Sequence, residues 1–213
     1  MTLPTSGLIT VNDRGARAAT TFGSVAAVGG NMVFIKKLTA SSSGTLSFVD
    51  GASSVVLDST YKEYVFTFKD IHPSASARLQ FQGSTDGGSN YGTTITSTMF
   101  RAYHKEDDSE TNLVYTSGND LAQSTSFQDI YYNGSSPNND TSNCGIINLF
   151  NPSSDTFVKH FISTSNSEAG TNGTSTNFFT SGYFNTTSAI NGIRFQMNTG
   201  NIDAGDICLY GIL

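Results

Sequence analysis

From Asn31 onward, apolar residues recur at every second position in short runs, and Ser, Asn, Gly and Asp separate the runs. Period-two alternation places one face of a strand in a core and the other in polar surroundings. Leu79 and Phe81 alternate with Arg78, Gln80 and Gln82, and Ile193, Phe195 and Met197 face away from Arg194 and Gln196. The spacing predicts strands over 33–39, 44–50, 64–68, 79–81, 95–105, 113–116, 126–132, 145–150, 156–163, 177–184, 193–197 and 207–212. The first two of these should pair around Ser41-Ser42-Ser43, and Asp50-Gly51 marks a tight turn. Loops are expected over 84–93, 106–112, 133–143 and 165–175. The stretch from Phe184 to Leu213 reads as two strands and a polar turn, which ties the C-terminal end into a sheet.

This pattern predicts an all-β fold, an antiparallel two-sheet sandwich of jelly-roll-like type with long loops at its ends. No repeat of 20 to 50 residues is present, which argues against a propeller or β-helix. Residues 1–32 differ, with too few apolar positions for a core of their own. They are expected to form an extended arm that docks on another surface through Leu3, Leu8, Ile9, Val11, Arg14 and Arg17, leaving 33–213 as the body.

Composition supports strands over helices and argues against disorder. Ser, Thr, Asn and Gly make up 95 of the 213 residues, charged residues only 13 %, yet 15 Phe and 9 Tyr supply large apolar surfaces to bury. The net charge of -6 is uneven, +3 up to residue 105 and -9 beyond it. An acidic C-terminal body repels phosphate backbones, so no nucleic-acid partner is expected. No apolar run reaches the ~20 residues of a membrane-spanning helix and no leader pattern opens the chain, so a cytosolic product without membrane insertion is expected. Cys144 and Cys208 sit in strand-like apolar runs and are expected to be buried free thiols.

Candidate chemistry is sparse. The loop Ser84 to Tyr91 has two glycines but lacks the Lys-Ser/Thr ending of a phosphate-binding loop. Glu106-Asp107-Asp108-Ser109-Glu110, Asn138-Asn139-Asp140 and Asp203-Ala204-Gly205-Asp206 offer oxygen ligands for Ca²⁺, but none has EF-hand spacing, and solvated turns are the expectation. His72, His104 and His160 stand apart, without a nucleophile elbow or a metal-spaced partner. The reading is therefore no catalytic residues, no metal and no cofactor. Tyr91, Tyr131 and Tyr132, with Asn138 and Asn139, are the candidates for glycan or receptor contact, because a ring covers the apolar side of a sugar while amides bond its hydroxyls. Tyr103 and Tyr115 belong to the same set of tyrosines, for all of which core or interface is the competing placement.

Four blocks resemble virion structural proteins of marine cyanophages and related tailed bacteriophages: Thr60 to Pro73, Met99 to His104, Phe157 to Ile162, and the ending from Gly182 to Gly211. The opening, Leu3 to Asp13, is similar to the starts of phage tail and fibre proteins. The resemblance implies a non-enzymatic virion protein made in the host bacterial cytoplasm, with other virion proteins as partners. It also implies a homo-oligomer, a trimer being one form, and host surface glycan as a further partner. A tail-fibre or receptor-binding module is the first placement, and a capsid head decoration or head fibre the second. A polysaccharide-cleaving enzyme is the remote alternative, since paired carboxylates can be assembled from distant strands.

Overall fold

The computed structural model describes residues 31–132, 135–169 and 173–213. Twelve strands lie among them: β1 (Met32–Thr39), β2 (Thr45–Val49), β3 (Glu63–Pro73), β4 (Leu79–Ser84), β5 (Ile95–Lys105), β6 (Thr111–Tyr115), β7 (Gln128–Asp129), β8 (Asn143–Phe150), β9 (Lys159–Ala169), β10 (Thr174–Phe184), β11 (Gly192–Met197) and β12 (Ile202–Ile212). They form an antiparallel sandwich of unequal sheets. The large sheet runs β1-β12-β3-β8-β9-β10-β5-β6 and the small one β2-β11-β4-β7. The chain passes repeatedly from one sheet to the other, as in a jelly roll, and hairpins join only β5 to β6, β8 to β9 and β9 to β10.

Alternation decides what fills the space between the sheets. Phe48, Phe81 and Phe195 of the small sheet meet Phe66, Phe161 and Phe184 of the large one, all six fully buried. Phe81 stands edge-on to Phe161 at 5.0 Å between ring centroids, and Phe48 to Phe66 at 5.4 Å. Such edge contacts set the positive rim of one ring on the negative face of the next, adding to the gain from burial. The arginine and glutamines that alternate with these positions lie on the outer side of the small sheet. There Arg194 Nε donates to Ser47 Oγ and Gln80 Nε2 to Asp129 Oδ1.

Several local expectations change in the fold. β1 and β2 do not pair with each other: β1 adds to β12 in the large sheet and β2 to β11 in the small one. The three serines therefore carry the chain across the sandwich. Within the segment expected as a loop over 165–175, residues 165–169 belong to β9 and 174–175 to β10, with Glu168 opposite Ser175. Conversely, the strand expected over 126–132 shrinks to Gln128–Asp129. Met32 pairs with Ile212, and Leu213 N donates to the Asn31 carbonyl, so the body begins before residue 33. Cys208 is buried as expected, whereas Cys144 is exposed on β8; both are free thiols.

β3 and β12 bulge together. The β3 register slips between Phe68 and Ile71, and that of β12 slips twice between Ile202 and Asp206. Asp70 takes a left-handed φ of 52° and Gly205 a φ of 114°. A Cβ on Gly205 would lie 2.6 Å from the Asp70 carbonyl oxygen, so only glycine fits.

Candidate functional site

The five residues expected to contact glycan separate into different surroundings. Tyr131 is fully buried, which removes it from any contact set. Its hydroxyl accepts from Asn143 Nδ2 at 3.2 Å, and burial pushes its pKa up. Tyr132, the next residue, points the other way and is 39 % exposed. Tyr91 packs on the small sheet's outer side, with the Arg194 guanidinium 3.9 Å from its ring centroid. Asn138 and Asn139 are exposed, and the Asn138 carbonyl lies 3.0 Å from His72 Nε2. The arm residues Leu3, Leu8, Ile9, Val11, Arg14 and Arg17 lie outside the described residues.

Tyr132 borders a cleft of ≈ 230 Å³ at the β5–β6 end of the sandwich, together with Arg101, Val114, Tyr115 and the turn from Thr116 to Asn119. Its organising group is Arg101, whose guanidinium carbon lies 4.8 Å from the Tyr132 ring centroid and 5.2 Å from that of Tyr103. A guanidinium between two rings is held by their quadrupoles. The polar wall is fixed by hydrogen bonds: Gln128 Nε2 donates to the Asn119 carbonyl at 2.9 Å, Asn119 Nδ2 donates to Asp129, and Arg78 pairs with Asp129 at 3.5 Å. Tyr115 donates to Asp120 Oδ2 at 2.6 Å, and this bond raises its pKa. The cleft thus offers ring faces, a cation and amide groups on a rigid frame.

A second hollow, ≈ 360 Å³ and polar, lies between the β4–β5 loop and Asn185-Thr186. Asp86 shapes it: its carboxylate accepts from Asn90 N at 2.9 Å, Asn90 Nδ2 at 2.7 Å and Ser84 Oγ at 2.7 Å. Those bonds, the Asn90 backbone first, hold its pKa down at about 2. The acidic turn after β5 is similarly self-satisfied, with Glu110 paired to Lys105 at 2.7 Å and Asp108 to His104 at 3.0 Å. Among the described residues no three His, Cys, Asp or Glu side chains group as metal ligands would.

The alternation reading missed a larger feature, the outer face of the large sheet. Pairing register places Phe34, Tyr210, Val65, Asn148, Ile162, Ser181 and Thr98 in one row across the strands. The next row is Lys37, Cys208, Thr67, Ile146, Thr164, Phe179, Phe100 and Tyr115. Phe34, Phe100, Tyr115, Ile146 and Ile162 are all exposed. The signal was present as doublets, Met99-Phe100, Ile146-Ile147, Phe161-Ile162 and Phe178-Phe179, which put apolar groups on both faces of a strand. On this face Phe100 and Phe179 stack at 4.9 Å, and Phe34 stands edge-on to Tyr210 at 5.7 Å.

Comparisons with protein families, with curated proteins and with solved structures find no match to this chain.

Proposed function

We propose that the chain is a non-enzymatic structural protein of a tailed-phage virion, a β-sandwich module held by its N-terminal arm and directed outward. It is of the tail-fibre or receptor-binding type and contacts host surface glycan through the Arg101–Tyr132 cleft. The observation that carries this reading is the cleft: an exposed tyrosine face beside a ring-held guanidinium and the fixed Asn119 turn. An aromatic face takes the apolar side of a sugar ring, and the cation favours acidic sugars of bacterial surfaces. Contact loops carried by a rigid sheet are the ordinary arrangement of recognition modules. The blocks that resemble cyanophage virion proteins support a phage particle as its setting.

Purified protein should bind host cells or their lipopolysaccharide, and Tyr132→Ala should weaken binding at least tenfold while leaving the circular dichroism spectrum unchanged. Absence of binding, or binding indifferent to Tyr132, counts against the adhesin. The broad apolar sheet face favours a second reading, a capsid decoration protein. Quantitative mass spectrometry of purified virions separates the two: capsid stoichiometry supports decoration, and tail-fibre stoichiometry supports adhesion.

A further inference from the structure

The outer faces of the two sheets are chemically opposite. On the small sheet Ser47, Arg194, Gln82, Gln80 and Gln196 occupy the outward positions; Ser47, Gln80 and Arg194 are half-buried and hydrogen-bonded, and Gln82 is fully buried and donates to the Thr125 and Ser126 carbonyls. On the large sheet the two central rows contain one charged residue, Lys37 at the edge, and Asp206 already pairs with it at 3.2 Å. Of the acids that give the chain its net charge of -6, Glu63, Glu168 and Asp206 reach outward positions of this sheet, all outside the two central rows, and Asp206 is paired there with Lys37 and Lys69.

The whole face, apolar and small polar positions together, has the dimensions of an interface. Eight strands ~4.8 Å apart, about seven residues long at ~3.4 Å per residue, present roughly 34 by 24 Å, about 800 Å². A standard recognition interface buries about 800 Å² per partner, the same as this face.

From this surface we infer that the outer face of the large sheet is the contact between two copies of the chain, packed face to face about a two-fold axis. The relief suits such packing. Phe34, Ile146, Ile162 and Phe100 project, while Thr67, Thr98, Thr164 and Ser181 leave recesses. One recess, ≈ 430 Å³, lies over Thr98 and Ser181 between Ile162 and the rings of His160 and Tyr183. Stacked sheets sit ~10 Å apart with interdigitated side chains, which needs knobs and recesses on the same face. A neutral face lets two copies approach although each is acidic overall. One patch that serves both partners closes as an isologous pair, whereas a three-fold ring needs two different surfaces on each copy. The described surface supplies one such face, so the assembly is two-fold rather than the trimer that the resemblance suggests.

Sedimentation velocity of the full chain tests this. At micromolar concentration it should sediment as a dimer, and the double variant Ile146→Glu/Ile162→Glu as a monomer, with near-ultraviolet circular dichroism and thermal midpoint retained. Both positions are exposed, at 42 % and 52 %, so neither glutamate enters the core. Should that variant unfold, Thr164→Arg serves instead and should also yield a monomer. A wild-type monomer at all concentrations, a trimer, or a dimer that survives a folded variant overturns the inference. Maleimide labelling of Cys144, exposed on the same face, identifies the cover. Protection that grows with protein concentration supports a second copy. Protection independent of concentration means that the chain's own residues 1–30 cover the face, and overturns it.

Discussion

Asn143 Nδ2 donates to the Tyr131 hydroxyl at 3.2 Å in the closed interior of the sandwich, joining β8 to the segment that follows β7. The same amide reaches the Ile71 carbonyl at 3.2 Å and Ser135 Oγ, so a single side chain ties three segments together. Asn143→Leu therefore strands buried acceptors and should cost about 2–3 kcal/mol. Tyr131→Phe removes one hydroxyl and should cost about 1 kcal/mol. Urea unfolding of the two variants checks the order, and an equal or reversed pair would show that the amide does not organise this region.

Gly205 holds a second joint. Because a Cβ there meets the Asp70 carbonyl at 2.6 Å, and φ is 114°, Gly205→Ala should destabilise by about 2–4 kcal/mol. Gly51 also has a positive φ, 73°, but faces open space, so Gly51→Ala should cost about 1 kcal/mol. Thermal midpoints of the two variants separate steric closure from conformational preference.

Asp86 gives the fold an acid-sensitive contact. Its folded pKa of about 2 lies below the ordinary 3.8, so the unfolded chain binds more protons between these values and stability falls as pH falls through that window. The contribution is complete above pH ~4 and lost near 2. Thermal melts of wild type and Asp86→Asn should therefore differ most at pH 5 to 7 and converge toward pH 2.

Lys159 is fully buried, and its Nζ donates to the Thr186 carbonyl at 3.1 Å. Burial pushes its pKa down, so the ammonium is held at a cost that diminishes as pH rises toward the ordinary lysine range. Lys159→Met should raise stability by about 1 kcal/mol at neutral pH, with a smaller gain at pH 10. Denaturant midpoints at the two pH values measure both effects.

Strand positions were legible wherever one face was apolar and the other polar. The expected strand over 95–105 matches β5, and the alternation at Ile193, Phe195 and Met197 gave the correct buried set. Between residues 165 and 175 the reading failed, because the inward positions Ser165, Ser167 and Thr174 are polar yet buried. Ser165 Oγ donates to the Ile130 carbonyl at 3.1 Å, so a hydrogen bond across the fold replaces the apolar contact that alternation looks for. Tyr131 and Tyr132 show the same limit, since neighbouring identical residues carry no mark of which one the core takes.

By itself the sequence determined the class of fold, because period-two burial is a local property of a strand and needs no knowledge of its neighbours. It also determined that the chain carries few ionic groups and many aromatic ones. Only the tertiary structure decided which strands lie side by side, because pairing joins residues as distant as Met32 and Ile212. That pairing gathers Phe34, Ile162, Ile146 and Phe100 onto one neutral face. It also sets Arg101 against Tyr132. Contacts of this kind depend on register between strands, and register is fixed by the whole sheet rather than by any one segment.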